Sequence, residues 1–121
     1  MTLHSAVRVL ARAVLVATAA CATAGHAAPA PRSNEVQVVE PAGQQDRWTY
    51  APNELSVARG TTVTFVNHGK ELHTVTADAP GRPFDLSIDI DQTGTITFDM
   101  VGTFAYHCGV HPQMKGVVRV L

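Results

Sequence analysis

From residue 35 to residue 121 the chain is a succession of short runs in which β-branched or aromatic residues alternate with polar ones, each cut by Gly, Pro, Asn or Asp. A period of two puts alternate side chains on opposite faces of an extended strand, so runs of this kind bury one face and wet the other. Residues 61–67 (TTVTFVN) set Val63 and Phe65 on one face and Thr62 and Thr64 on the other. Residues 73–77 (HTVTA) align His73, Val75 and Ala77, and residues 94–98 (GTITF) align Ile96 and Phe98. Residues 35–40, 48–50, 54–58, 103–108 and 116–121 read the same way, with Gly60 turning the chain and residues 78–83 (DAPGRP) forming a loop. Residues 84–92 fit a strand and an irregular connection equally well, and no helical period emerges. The expected fold is all-β: an antiparallel sandwich or barrel of seven to eight strands.

Residues 1–27 read as a cleavable export signal. Arg8 and Arg12 precede an uncharged Ala-rich stretch over residues 13–24, and small residues offer cleavage after Ala24 or Ala27. The stretch falls short of the roughly 20 residues a membrane span needs. Cys21 is expected to leave with the signal rather than carry a lipid, because Thr18 stands where a large aliphatic would precede an acylated cysteine. Residues 28–34 (APAPRSN) form a Pro-rich tether, and residues 35–121 the folded domain. The expected location is therefore the periplasm or another exported compartment. Without Arg8 and Arg12 the mature chain sets seven bases against ten acids, a net charge of −3 with no basic face for nucleic acid. It also keeps Cys108 as its single cysteine, which cannot close an internal disulfide and needs another role.

That role is legible in the run from Tyr106 to Met114 (YHCGVHPQM). Cys108, His111 and Met114 stand three residues apart at the end of a strand, so one short loop can fold a thiolate, an imidazole and a thioether onto one point. His73 supplies a second imidazole from a separate strand. Two His and one Cys with a weak axial Met suit copper: the sulfurs favour Cu(I), the imidazoles tolerate Cu(II), and a single electron passes with little rearrangement. Zinc can occupy such a set as well. Pro112 stiffens the loop, Gly109 and Gly116 are read as bends at its ends, and Asn67 as a hydrogen-bonding brace across to it. His107 adjoins Cys108 on the strand and so faces the other way; His68 reads as a solvated loop residue, Met100 as core or turn packing, and Trp48 and Tyr50 as core aromatics.

The pattern resembles the cupredoxins of the plastocyanin, pseudoazurin and amicyanin group. The resemblance rests on Tyr50-x-Pro52-x-x-Leu55-x-Val57-x-x-Gly60-x-x-Val63-x-Phe65-x-Asn67, then His73-x-Val75, then Gly102-x-Phe104-x-Tyr106-x-Cys108-x-x-His111-x-x-Met114-x-Gly116. The two-residue gap between His111 and Met114 is similar to the short loop of amicyanin. The resemblance implies a Greek-key β-sandwich with one copper at its end, His73, Cys108 and His111 as equatorial ligands and Met114 as the axial one. It also implies an electron port at His111, flanked by Val110 and Pro112. Thr74 stands where the family often has Asn, and His107 where it often has an aromatic. A His–Cys pair of that kind occurs in copper nitrite reductases, where the His binds a second copper.

The function expected is single-electron carriage by an exported type 1 blue-copper protein, a monomer that docks donor and acceptor proteins around His111 and catalyses no reaction itself. The alternative is periplasmic copper sequestration or delivery with the same ligands. An enzyme-type role with a second copper at His107 or His68, and a metal-free interaction module, are further readings.

Overall fold

A computed structural model describes residues 34–121. The export signal and all of the tether except Asn34 lie outside the described residues. Asn34 already belongs to the fold: its side-chain amide donates to the Thr62 carbonyl, and its own carbonyl accepts the Thr64 N–H.

Nine strands follow: β1 (Glu35–Val39), β2 (Thr49–Ala51), β3 (Glu54–Val57), β4 (Thr61–Val66), β5 (His73–Ala77), β6 (Asp85–Ile88), β7 (Thr93–Phe98), β8 (Gly102–His107) and β9 (Lys115–Val120). The ninth is β6, drawn from the stretch whose sequence left strand and loop open. Its pairing with β5, Ile88 opposite His73 and Leu86 opposite Val75, settles the matter. A single 3-10 turn at Gln45–Arg47 interrupts the β1–β2 connection.

The strands form two sheets, in the orders β2-β1-β4-β7 and β3-β9-β8-β5-β6. The chain leaves the first sheet for β3, returns for β4, crosses to the second sheet for β5 and β6, returns for β7 and crosses a last time into β8. The all-β sandwich is as expected, and five of its seven pairings are antiparallel. The other two are parallel: β1 runs alongside β4 and β3 alongside β9. Parallel neighbours need a long crossover, and a local alternation pattern carries no sign of which distant strand will be the partner.

Packing follows the alternation. In β4, Val63 and Phe65 are buried while Thr62 is exposed; in β9, Gly116, Val118 and Val120 are buried while Arg119 is exposed. The inward faces meet in one core that includes Val36, Tyr50, Phe65, Val75, Ile88, Phe98, Tyr106 and Val118 and continues without a break to Cys108 and Met114. Tyr106 is its hinge-pin. Its ring packs edge-on against Tyr50 (5.0 Å between centroids) and Phe65 (5.7 Å), and it crosses Gly116 so closely that a Cβ there would lie 2.2 Å from the ring. Gly116 is thus a close-approach glycine within a strand rather than a bend, and neither it nor Gly109 has a positive φ; Gly60, at φ 84°, is the true turn glycine. Met100 is 70 % exposed and packs in no core. Among the described residues no helix is long and apolar enough to cross a membrane.

Candidate metal centre

The second sheet delivers the site. His73 is the first residue of β5. Cys108 follows the last residue of β8, and residues 108–114 loop back into β9. The loop closes on itself: Cys108 N–H donates to the Met114 carbonyl (3.1 Å), and Met114 N–H to the His111 carbonyl (2.9 Å). Two such bonds in seven residues hold the Cys, His and Met backbones in one compact turn. The Gln113 side-chain amide ties that turn to the Gln45 carbonyl in the β1–β2 connection.

Three of the four residues singled out in the sequence present their ligand atoms to one point. The Nδ1 atoms of His73 and of His111 each lie 3.8 Å from Cys108 Sγ, and the three ligand atoms fall within 4.8 Å of one another. An ion about 2.0–2.1 Å from nitrogen and about 2.3 Å from sulfur, with about 120° between the two, separates them by about 3.7 Å. The observed spacing therefore leaves room for one ion held by all three donors, as a His₂Cys copper centre would require. Met114, the fourth residue, is completely buried in the same cluster as Cys108. His73 and Cys108 are inaccessible, and His111 keeps 7 % of its surface. Buried thiolate and imidazole donors of this softness suit copper, so the residues present fit one copper ion per chain.

Several residues that the sequence did not disclose shape this centre. Glu40, directly after β1, reaches the far side of His73: its carboxylate accepts the His73 Nε2–H at 2.7 Å. Carboxylates only accept, so Nε2 carries a proton, and the contact turns Nδ1 toward Cys108. Burial opposes the charge on Glu40. The N–H of Lys70, the His73 ring and the N–H of Glu71 outweigh it and hold the carboxyl below its ordinary value of 4.5. Trp48 packs in a T-shaped arrangement with His111 (4.9 Å between centroids) and His73 (5.8 Å), and its indole N–H donates to the Pro41 carbonyl. It is core-like, as read, but the core it serves is the metal centre.

Thr74 takes up two tasks next to the thiolate. Its backbone N–H donates to Cys108 Sγ at 3.3 Å. Its hydroxyl accepts the Gly109 N–H at 2.7 Å and stands 2.8 Å from the Thr76 hydroxyl, which in turn donates to Asp85. An N–H can only donate and a carboxylate only accept, so the ends fix the chain's direction: Gly109 to Thr74 to Thr76 to Asp85. This chain braces the ligand loop in the place expected of Asn67. Asn67 instead donates to the Glu71 and Ile88 carbonyls and accepts the Gly69 N–H, shaping the loop that carries His73 and never reaching the Cys108 loop. His107 faces away from the centre and pairs its Nδ1 with Asp78, and His68 is a solvated loop residue 3.9 Å from Asp91. Among the described residues His73, Cys108 and His111 form the only such ligand cluster.

Comparison with known proteins agrees with this geometry. The family model of the cupredoxin-like domain matches residues 11–120. The chain is 31 % identical over 117 residues to amicyanin-alpha of Methylorubrum extorquens, across 90 % of this chain and 98 % of that protein. It is 32 % identical over 100 residues to the chloroplastic plastocyanin of Physcomitrium patens, across 73 % of this chain and 60 % of that protein's length. Among solved structures, a purple cupredoxin from Nitrosopumilus maritimus superposes with a TM-score of 0.62 at 26 % identity, over 72 % of this chain and 98 % of that one. With a family match spanning the sandwich and a His₂Cys cluster where that sandwich carries its ligand loop, the chain belongs to the cupredoxin-like family.

Proposed function

We propose that this chain is an exported type 1 copper protein that carries single electrons between partner proteins, with His73, Cys108 and His111 as equatorial ligands and Met114 as the axial one. The observation that carries the reading is the pair of imidazole Nδ1 atoms, each 3.8 Å from one buried sulfur. Bound there, copper supplies a one-electron Cu(I)/Cu(II) couple. The chain's own residues supply everything else. Glu40 fixes the His73 tautomer, and the Thr74 N–H directs a dipole at the sulfur. Trp48 and the core around Met114 exclude water. The hydrogen bonds within residues 108–114 hold the donor set in one shape, so a change of oxidation state demands little movement.

His111 is the ligand with residual surface, and the exposed Val110 and Leu72 each precede a proposed ligand in sequence. Exposed apolar side chains adjoining the ligands suit brief docking of redox partners rather than substrate capture, and the reading is of a monomeric carrier, not an enzyme. The segment ahead of residue 34 would direct export.

The test is the visible spectrum of the purified protein with one equivalent of Cu(II). An intense orange-red charge-transfer band that bleaches on mild reduction, is lost in Cys108→Ser and survives many redox cycles without copper release is expected. A colourless copper complex, or copper lost within a cycle, refutes the carrier reading and points to copper delivery.

A further inference from the structure

Glu40 is a buried carboxylate with its own built seat. Its side chain is only 8 % exposed. Oε1 accepts the His73 Nε2–H (2.7 Å) and the Glu71 N–H (3.2 Å), and Oε2 accepts the Lys70 N–H (2.8 Å). The seat exists because residue 69 lacks a side chain: a Cβ on Gly69 would lie 2.0 Å from Oε1 and 2.3 Å from the carboxylate carbon. Glu40 directly follows β1 of one sheet, whereas His73 opens β5 of the other, so the contact ties the two layers together across 33 residues of sequence. A carboxylate is held in a fixed position against one ring nitrogen of a residue whose other nitrogen faces Cys108.

We infer that Glu40 is a positioning residue of the copper centre which, through the His73 imidazole, biases it toward Cu(II) and so lowers its reduction potential. The inference rests on the function proposed above and deepens it. Two physical effects carry it. A hydrogen bond from Nε2 to a carboxylate increases the basicity of the opposite nitrogen and locks the ring's orientation. A fixed negative charge close to a metal in a poorly screened environment stabilises the higher metal charge more than the lower. Both act in the same direction, and outer partners of this kind alter metal affinity by roughly 10- to 100-fold.

Two variants separate the carboxylate from the fold. Glu40→Gln keeps a side-chain acceptor and removes the charge. Gly69→Ala keeps Glu40 but fills its seat, and since the group displaced is the tip of a flexible side chain, the sandwich is expected to tolerate it. The readouts are a redox titration of the copper-loaded full chain and nitrogen NMR of the His73 ring in metal-free protein. In both variants the Cu(II):Cu(I) affinity ratio is expected to fall about tenfold, which for one electron is a rise of about 59 mV in potential. Metal-free parent protein is expected to carry its His73 proton on Nε2, and Gly69→Ala to lose that preference. Parental ratios in both variants, or a parental His73 proton on Nδ1, overturn the inference. A parent that takes up no copper refutes the proposed function instead, and the tautomer measurement, which needs no metal, then decides the role of Glu40.

Discussion

Gly116→Ala is the substitution whose cost can be worked most directly from the structure. The new Cβ would sit 2.2 Å from Tyr106 Cζ and 2.3 Å from its hydroxyl oxygen, against 3.4 Å for ordinary contact. The ring must therefore move by about 1.2 Å. It is held between Tyr50 and Phe65, all three nearly inaccessible, so the strain spreads into the centre of the core. Overpacking of a close-packed core costs about 1–3 kcal/mol, and for a domain of this size each kcal/mol moves Tm by about 4–8 °C. A loss near 2 kcal/mol and a Tm lowered by about 8–16 °C are expected. Because Tyr106 lies on β8 two residues before Cys108, copper affinity should fall with it. The assay is urea unfolding of metal-free protein for the parent, Gly116→Ala, Tyr106→Leu and the double variant. If the clash is the cause, shortening residue 106 makes the added methyl cheap, and the cycle shows coupling of at least about 1 kcal/mol. A Gly116→Ala protein within about 0.5 kcal/mol of the parent, or a cycle with no coupling, refutes the reasoning.

Further expectations concern the brace, the tyrosines, the spare histidine and the metal itself. Thr74→Val breaks the chain from Gly109 to Asp85 while leaving the Thr74 N–H on the sulfur, so it should cost about 0.5–1.5 kcal/mol and speed copper release; an unchanged release rate would show that the loop needs no brace. Burial raises Tyr106 well above its ordinary value of 10.0; burial, joined by the nearby Cys108 and Tyr106, does the same for Tyr50. Their contribution to stability is thus complete below pH 10 and is lost as pH climbs past it, because only the unfolded chain releases those protons readily. Tyrosinate absorbance from these two residues should appear together with unfolding, and titration in an intact fold would contradict it. His107→Ala should keep a single copper per chain and the parental visible spectrum, at a cost of no more than about 1 kcal/mol for the half-exposed pair with Asp78; a parent that holds two coppers and a variant that holds one would restore a second site. Copper at 100 times its dissociation constant should stabilise the fold by about 2.7 kcal/mol, read as a concentration-dependent Tm, and a Tm indifferent to copper would mean that the centre does not bind in the native state.

The strands were legible wherever one face is buried, because burial itself writes a period of two. Val63 and Phe65 in β4, Val75 in β5 and Ile96 and Phe98 in β7 all stand on the faces their spacing implied. The stretch 84–92 was not legible: β6 is an edge strand, with only β5 beside it, and its pattern is diluted by exposed residues. In the sequence Gly116 has the mark of a bend, because glycine serves bends more often than close approach, and only Tyr106 overhead shows the difference.

The metal centre divides along the same line. The spacing Cys108, His111, Met114 could be read directly because those residues share one loop and their chemistry is local to it. The sequence by itself determined the donor types, the strand-rich frame and the lone thiol that demanded a partner. Only the tertiary structure decided what surrounds them. Glu40 on His73, Trp48 against His111 and the Thr74–Thr76–Asp85 brace, like the parallel pairing of β1 with β4, join positions that no local pattern relates. Such contacts are chosen by how two sheets pack, and a hydrogen bond across that gap leaves no period in the chain for a reader to find.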